Sequence, residues 1–167
     1  MRYILALGSN LEDKRSFLRK GVEYLSNLGT VIMESSIYET SPVGMEDGTE
    51  NFFNSIIVLE AEIDPEIMIV RIKEFEKKAG RSLVNSHMRP RELDIDIIFA
   101  DNMIINTPAL TIPHPRLEKR KFVLAPLAEI LPEQTHPITG KTIIELLDKL
   151  NTEEEIRIVK AEGIDPA

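Results

Sequence analysis

The sequence predicts an α+β fold, a sheet with helices packed on it. Three observations carry that prediction. Runs rich in β-branched and aromatic residues alternate with segments whose apolar residues recur at helical spacing. The second and third strand-like runs are separated by the polar stretch 41–50, which holds Pro42, Gly44 and Gly48 and so predicts a hairpin. The chain has 167 residues, 43% hydrophobic and 29% charged, enough for a core that folds without staples. One domain over 1–167 is therefore expected.

Residues 3–7 form the first strand, ending in Gly8-Ser9-Asn10, which reads as a turn and helix-cap cluster. A helix over about 13–28 follows from Phe17, Leu18, Gly21, Val22, Leu25 and Leu28. Thr30 to Thr40 reads as the second strand, 41–50 as an exposed polar loop, and Phe52 to Ile63 as a long third strand. Asp64-Pro65 supplies a cap followed by proline at the first helical position, and Met68, Ile72, Phe75 and Ala79 line one face of the helix up to Gly80. Arg81 to Arg91 has no hydrophobic period and reads as a mobile loop. After the strand at 93–99, Asp101-Asn102 gives a turn, and 103–106 and 110–112 look like short strands. A helix is expected from Pro113-His114-Pro115-Arg116, carrying Phe122, Leu124 and Leu127 and breaking near Pro126. Thr135 to Gly140 is a turn, Thr142 with Glu145 forms a capping box for a last short helix, and 156–160 adds an edge strand.

Composition excludes several functions. With no cysteine there are no disulfides or thiolate metal sites. No apolar run reaches the roughly 20 residues of a membrane span, and Met1 to Gly8 is too short for a signal peptide, so a cytoplasmic protein is expected. Twenty basic against 28 acidic residues leave a net charge of −8, which argues against a sequence-independent grip on nucleic acid. Against that background, Arg89 with Arg91 and the cluster Arg116 to Lys121 point to a small polyanion.

The chemistry concentrates in Arg89-Pro90-Arg91-Glu92-Leu93-Asp94-Ile95-Asp96-Ile97-Ile98-Phe99. On a strand, Asp94 and Asp96 share one face and Leu93, Ile95 and Ile97 the other. Same-side Cα atoms lie roughly 6.5–7 Å apart, a spacing at which two carboxylates can hold a pair of magnesium ions about 3.5–4 Å apart. Asp is depleted in strands, and two repelling neighbours on one face are better explained by a metal or substrate than by solvation alone. Other candidates are weaker. Gly140-Lys141-Thr142 lacks the first P-loop glycine, Thr135 standing there, and Thr142 reads as a cap. Gly8-Ser9 with Asp-x-Asp also fits a nucleotidyltransferase, though the two parts lie far apart along the chain. None of His87, His114 and His136 pairs at helical zinc spacing. His136-Pro137 closes a turn, and His114 at a helix start is either a phosphate ligand or a cap. Phe52 and Phe122 fit core positions. No nucleophile for covalent catalysis stands out. Two carboxylates, a loop with Arg81 and Arg91, and a basic helix start are the equipment of phosphoryl transfer.

A wider set of residues is shared with a known family: Ala6-Leu7-Gly8-Ser9-Asn10-Leu11, Tyr38 to Gly44, Phe52-Phe53-Asn54, Gly80-Arg81, Arg89 to Asp96, Pro113 to Arg116, and Arg120 to Leu127. Together they resemble the 6-hydroxymethyl-7,8-dihydropterin pyrophosphokinase family, from about residue 3 to residue 150. The resemblance implies a ferredoxin-like α/β sandwich with a mostly antiparallel central sheet flanked by helices. It implies a monomeric enzyme of folate synthesis, with ATP and the pterin as partners and neither nucleic acid nor membrane. The implied reaction moves the β,γ-diphosphate of ATP to the pterin hydroxymethyl group and leaves AMP. Asp94 and Asp96 would bind two Mg²⁺ ions. Arg81 and Arg91 would engage the phosphates from a closing loop, with Glu76, Ile97, Thr111, His114, Arg116 and Arg120 around ATP. Phe52 and Phe122 would sandwich the pterin, with Asn54, Asp94, Thr40, Ser41 and Val43 at its edge. Met88 and Leu83 stand where some members have Trp and Arg, Pro115-Arg116 where some have a Tyr, and Phe52 where some have Tyr. A nucleotide-sensing or protein-binding module on the same fold is the reading from another class.

Overall fold

The computed structural model describes residues 1–10, 13–40, 51–84 and 93–159, with only the helical backbone over 80–84. Its elements are β1 (Arg2–Ser9), α1 (Lys14–Leu28), β2 (Thr30–Glu34), β3 (Tyr38–Thr40), β4 (Phe52–Glu60), α2 (Pro65–Val84) and β5 (Leu93–Ala100). The hairpin strands β6 (Ile105–Asn106) and β7 (Thr111–Ile112), α3 (Lys121–Ile130), α4 (Ile143–Lys149) and β8 (Ile156–Ile158) follow.

The central sheet runs β5-β1-β4-β3-β8, with β2 also paired to β4, and its ladders are antiparallel. β4 lies between β1 and the β2–β3 pair, and β1 lies between β4 and β5. The chain thus makes two interleaved split βαβ units, β1-α1-β2 and β4-α2-β5, which is the ferredoxin-like arrangement the resemblance implied. Alternation divides the strands between two apolar layers. Tyr3, Leu5, Leu7, Ile57, Leu59, Ile95 and Ile97 pack with Leu18, Leu25, Met68 and Ile72 of α1 and α2. Ile4, Ile56, Val58, Ile98 and Phe99 pack with Val123, Leu124, Leu127, Ile143 and Leu146 of α3 and α4.

One irregularity aims the site. Ile4 faces Phe99 and Leu5 faces Ile97, so Ile98 is the extra residue of a β-bulge. Its carbonyl accepts the His114 backbone N–H at 3.1 Å, which fastens the segment after β7 along the open edge of β5.

Several boundaries differ from the sequence expectation. Gly8 and Ser9 belong to β1, and the cap of α1 is Asp13, whose side chain accepts from the Ser16 N–H. The run 30–40 is two strands, because the Ser35 hydroxyl, rather than a continuing backbone ladder, accepts the Ile56 N–H at 2.8 Å. β4 ends at Glu60, short of Ile63. α2 continues beyond Gly80 to Val84, a helical glycine costing only about 1 kcal/mol against alanine. The α-helix expected at Pro113 begins at Lys121, after a 3-10 turn over Leu117–Lys119. Pro126 does not break α3. The burial of Val123, Leu124, Pro126 and Leu127 offsets a penalty of about 3 kcal/mol. The loop 41–50 and residues 85–92 lie outside the described residues. The short strands β6 and β7, which pair with each other, the Thr142 cap of α4 and the edge strand β8 fall where expected.

Candidate active site

β5 presents the two aspartates as its alternation requires. Asp94 is exposed and Asp96 half-buried, while Leu93, Ile95 and Ile97 turn into the core. The antiparallel ladders then align Asp94, Gly8, Asn54 and Tyr38 as one row across the sheet, directly opposed residues sharing a face. Asp96, Ala6 and Ile56 form the next row.

Asn54 is held by what it touches. Its amide donates to the Thr40 hydroxyl at 2.9 Å, both residues being buried. Its Oδ1 lies over Gly8, where a Cβ would come within 2.9 Å of it. Gly8 is thus the floor on which the amide rests, a role hidden behind its apparent one as part of a turn. Phe52 stands at the end of the same wall, opposite Thr40 and half-buried.

Around Asp96 the groups are cationic or polarisable. Arg120, at the N-cap of α3, places Nη1 3.4 Å from Asp96 Oδ2. The same guanidinium lies over the Phe122 ring, 5.4 Å from its centroid, a cation–π geometry. An ion pair this long and this solvated is worth about 0–1 kcal/mol, so it holds the groups near each other without locking them. His114 Nε2 is 3.9 Å from the same oxygen. The Arg116 backbone N–H donates to His114 Nδ1, which leaves the Nε2 position to carry the proton and face the carboxylate. Burial pushes the imidazole pKa down, against the pull of Asp96 and with the push of Arg120 and Arg116. His114 therefore does not sit at an α-helix N-terminus as the sequence suggested, and its place comes from the bulge carbonyl.

Glu76 reaches the same region from α2. Burial pushes its pKa up to about 7; Lys73, with Nζ 3.3 Å from Oε1, pulls it down, and Asp94 and Asp96 add to the rise. Among the described residues, the buried Oε1 accepts no well-aligned hydrogen bond.

The remaining residues that the sequence singled out are spread more widely. Thr111 is in β7 and half-buried, Arg116 is exposed, and Ile97 is buried in the layer under α1 and α2, so its side chain faces away from the aspartates. Arg81 belongs to the last turn of α2. Arg91, Ser41 and Val43 lie outside the described residues. Among the described residues, no three His, Asp or Glu side chains cluster as a closed metal cage. Two hard carboxylate oxygens on an open face fit Mg²⁺, which takes one or two protein carboxylates and fills its other positions with phosphate and water oxygens.

Comparison with known proteins bears on the family and the fold. Residues 4–132 match the model of the 7,8-dihydro-6-hydroxymethylpterin-pyrophosphokinase family. A 2-amino-4-hydroxy-6-hydroxymethyldihydropteridine pyrophosphokinase of Aquifex aeolicus is 38% identical over 84% of this chain and 87% of its own length. The Bacillus subtilis protein of that name is 40% identical over 75% of each. The chain spans only 20% of the longer folic acid synthesis protein fol1 of Pneumocystis carinii, to which it is 35% identical over 87% of its own residues. The Plasmodium falciparum HPPK-DHPS crystal structure with pteroate superposes with a TM-score of 0.67 at 19% identity, covering 89% of this chain and 42% of that one, and supports the fold. The chain belongs to the 7,8-dihydro-6-hydroxymethylpterin-pyrophosphokinase family, the pyrophosphokinases of folate synthesis.

Proposed function

We propose that this chain transfers the diphosphate of ATP to the hydroxymethyl group of 6-hydroxymethyl-7,8-dihydropterin and releases AMP. Family membership supports the reaction, and the observation that carries it to these residues is the pair Asp94 and Asp96 beside Arg120 on one open sheet face. The pterin hydroxyl oxygen attacks the β-phosphorus in line, its proton is lost to solvent, and the bond from that phosphorus to the α,β-bridging oxygen breaks. Two Mg²⁺ ions on Asp94 and Asp96 would supply neutralisation of the triphosphate charge. Arg120, His114 and Arg116, with Arg81 from the last turn of α2 and Arg91 from the segment after it, bind and orient phosphate oxygens. Glu76, Thr111 and the backbone at Ile97 border the nucleoside. Asn54 and Thr40, with Ser41 and Val43, read the pterin edge, and Phe52 and Phe122 stack on its rings, trading water for apolar contact.

The protein works as a single domain and a monomer in the cytoplasm, with no nucleic acid as ligand. No described helix is long and apolar enough to cross a membrane. Incubation with ATP, Mg²⁺ and the hydroxymethyl pterin should yield AMP and the pterin diphosphate. ADP as the nucleotide product, or no turnover under these conditions, would contradict the reading.

A further inference from the structure

Outside the aspartate cluster, Glu129 is a heavily engaged carboxylate on this side of the sheet. It stands in the last turn of α3 and takes donors from the link between β2 and β3. Tyr38 donates its hydroxyl to Oε1 at 2.7 Å. The Ser36 hydroxyl donates to Oε2 at 3.1 Å, and the Ser36 backbone N–H to Oε2 at 3.0 Å. Hydrogen bonds to a charged acceptor are stronger than those between neutral groups. Tyr38 is 8% exposed, and burial with Glu129 raises its pKa, so the phenol remains a donor at any working pH.

What these bonds connect is informative. Tyr38 opposes Asn54 across the ladder, and Thr40, on the same face one pleat further, holds the Asn54 amide. Glu129 and Phe122 are seven positions apart on α3, hence on nearly one helical face and separated by roughly 10 Å along the axis. α3 packs on β3 and β4. Besides the apolar packing of Ile56 and Val58 on Val123, Leu124 and Leu127, the wall with Asn54 and Phe52 and the helix with Phe122 are therefore joined by a polar tie at Glu129. Pro126, between Phe122 and Glu129, cannot donate to the Phe122 carbonyl, so the first turn of α3 has one internal tie fewer.

We infer that Glu129 is a positioning residue that sets the width of the pterin slot, fixing α3 against β3 so that Phe122 and Phe52 stand one heterocycle apart. This deepens the functional reading above and rests on it. No part of Glu129 touches substrate; it acts through Tyr38 and Ser36. The nucleotide side of the site shares Arg120 at the start of α3 but otherwise hangs on the β5 bulge and His114, which do not depend on this tie, and so ATP should respond less than the pterin.

The test is steady-state kinetics of Glu129→Gln and Tyr38→Phe with both substrates varied, beside thermal midpoints. Glu129→Gln should raise KM for the pterin about tenfold or more and KM for ATP by about threefold at most, a split that general unfolding does not produce. Tyr38→Phe, which removes one oxygen, should move the pterin KM in the same direction by less. The double variant should be no worse than Glu129→Gln alone, because both changes break one link. Parallel rises in both KM values, or an unchanged pterin KM in Glu129→Gln, would overturn the assignment. Asn54→Ala run alongside separates the two levels of the argument. A raised pterin KM in that variant with a normal one in Glu129→Gln sinks only the positioning role. A normal pterin KM in Asn54→Ala removes the pterin slot itself, and the role of Glu129 with it.

Discussion

Two ends of the same sheet face differ sharply in what they carry. At one end Ile4, Ile56, Val58, Ile98 and Phe99, none more than 2% exposed, are sealed under α3 and α4. At the other, one or two pleats along the same strands, stand Gly8, Asn54, Asp94 and Asp96. β1 runs beside β4 and β5 at both ends and β4 exchanges β2 for β3 between them; what changes on this face is whether a described helix lies on top. The covered end supplies free energy by removing apolar surface from water, at about 25 cal/mol per Å². The uncovered end spends that rigidity on holding polar groups where charge and shape are needed. Stability and activity should therefore separate along single strands.

The sharpest way to break that comparison is Asp96→Asn. Losing a charge-stabilising group at the reacting phosphates should lower AMP formation by about 10²–10³-fold or more with an unchanged thermal midpoint, and product assays beside calorimetry read both. The mirror-image change is Ile4→Ala at the covered end. It should cost about 2–5 kcal/mol in urea denaturation and leave kcat of the folded enzyme within about twofold. Gly8→Ala lies between the ends. The new methyl must displace the Asn54 amide, the flexible end of a side chain, so stability changes little and pterin KM rises by about fivefold, the equivalent of one hydrogen bond.

The smallest effect is a pH dependence. The folded-state pKa of Glu76, about 7, lies above the ordinary carboxylate value of 4.5, so the folded chain binds more protons than the unfolded chain between those values. Stability from this group therefore falls as pH rises from about 4.5 to 7, and Glu76→Gln should flatten that part of the profile. Midpoints of both proteins across pH 4.5–8 without nucleotide check it. A wild-type profile that rises relative to the variant would reverse the sign.

How far the sequence discloses all this follows from the range of each interaction. Asp94 and Asp96 are legible because the period of a strand is local, and Thr142 with Glu145 because a cap spans one turn. The layer assignment of Ile95 and Ile97 follows from the same alternation. The floor under Asn54 is invisible, since Gly8 meets it only through the β1–β4 register, and a glycine before Ser-Asn reads as a turn. His114 is misread for a similar reason. Prolines around it suggest a helix start, whereas a bulge in another strand sets its place. Glu129, 91 residues from Tyr38, carries no local signature at all. The overrun of α2 past Gly80 shows propensity being outweighed by the rest of a long helix.

The central claim is that the uncovered end of the sheet, through Asp94 and Asp96, gathers the divalent ions that make a triphosphate reactive. Mn²⁺ in place of Mg²⁺ can be counted by electron paramagnetic resonance in the presence of a non-hydrolysable ATP analogue. The account predicts two immobilised ions per chain in the wild type and a loss of both affinity and occupancy in Asp94→Asn and Asp96→Asn, with the fold intact. Undiminished Mn²⁺ binding in those variants would contradict it.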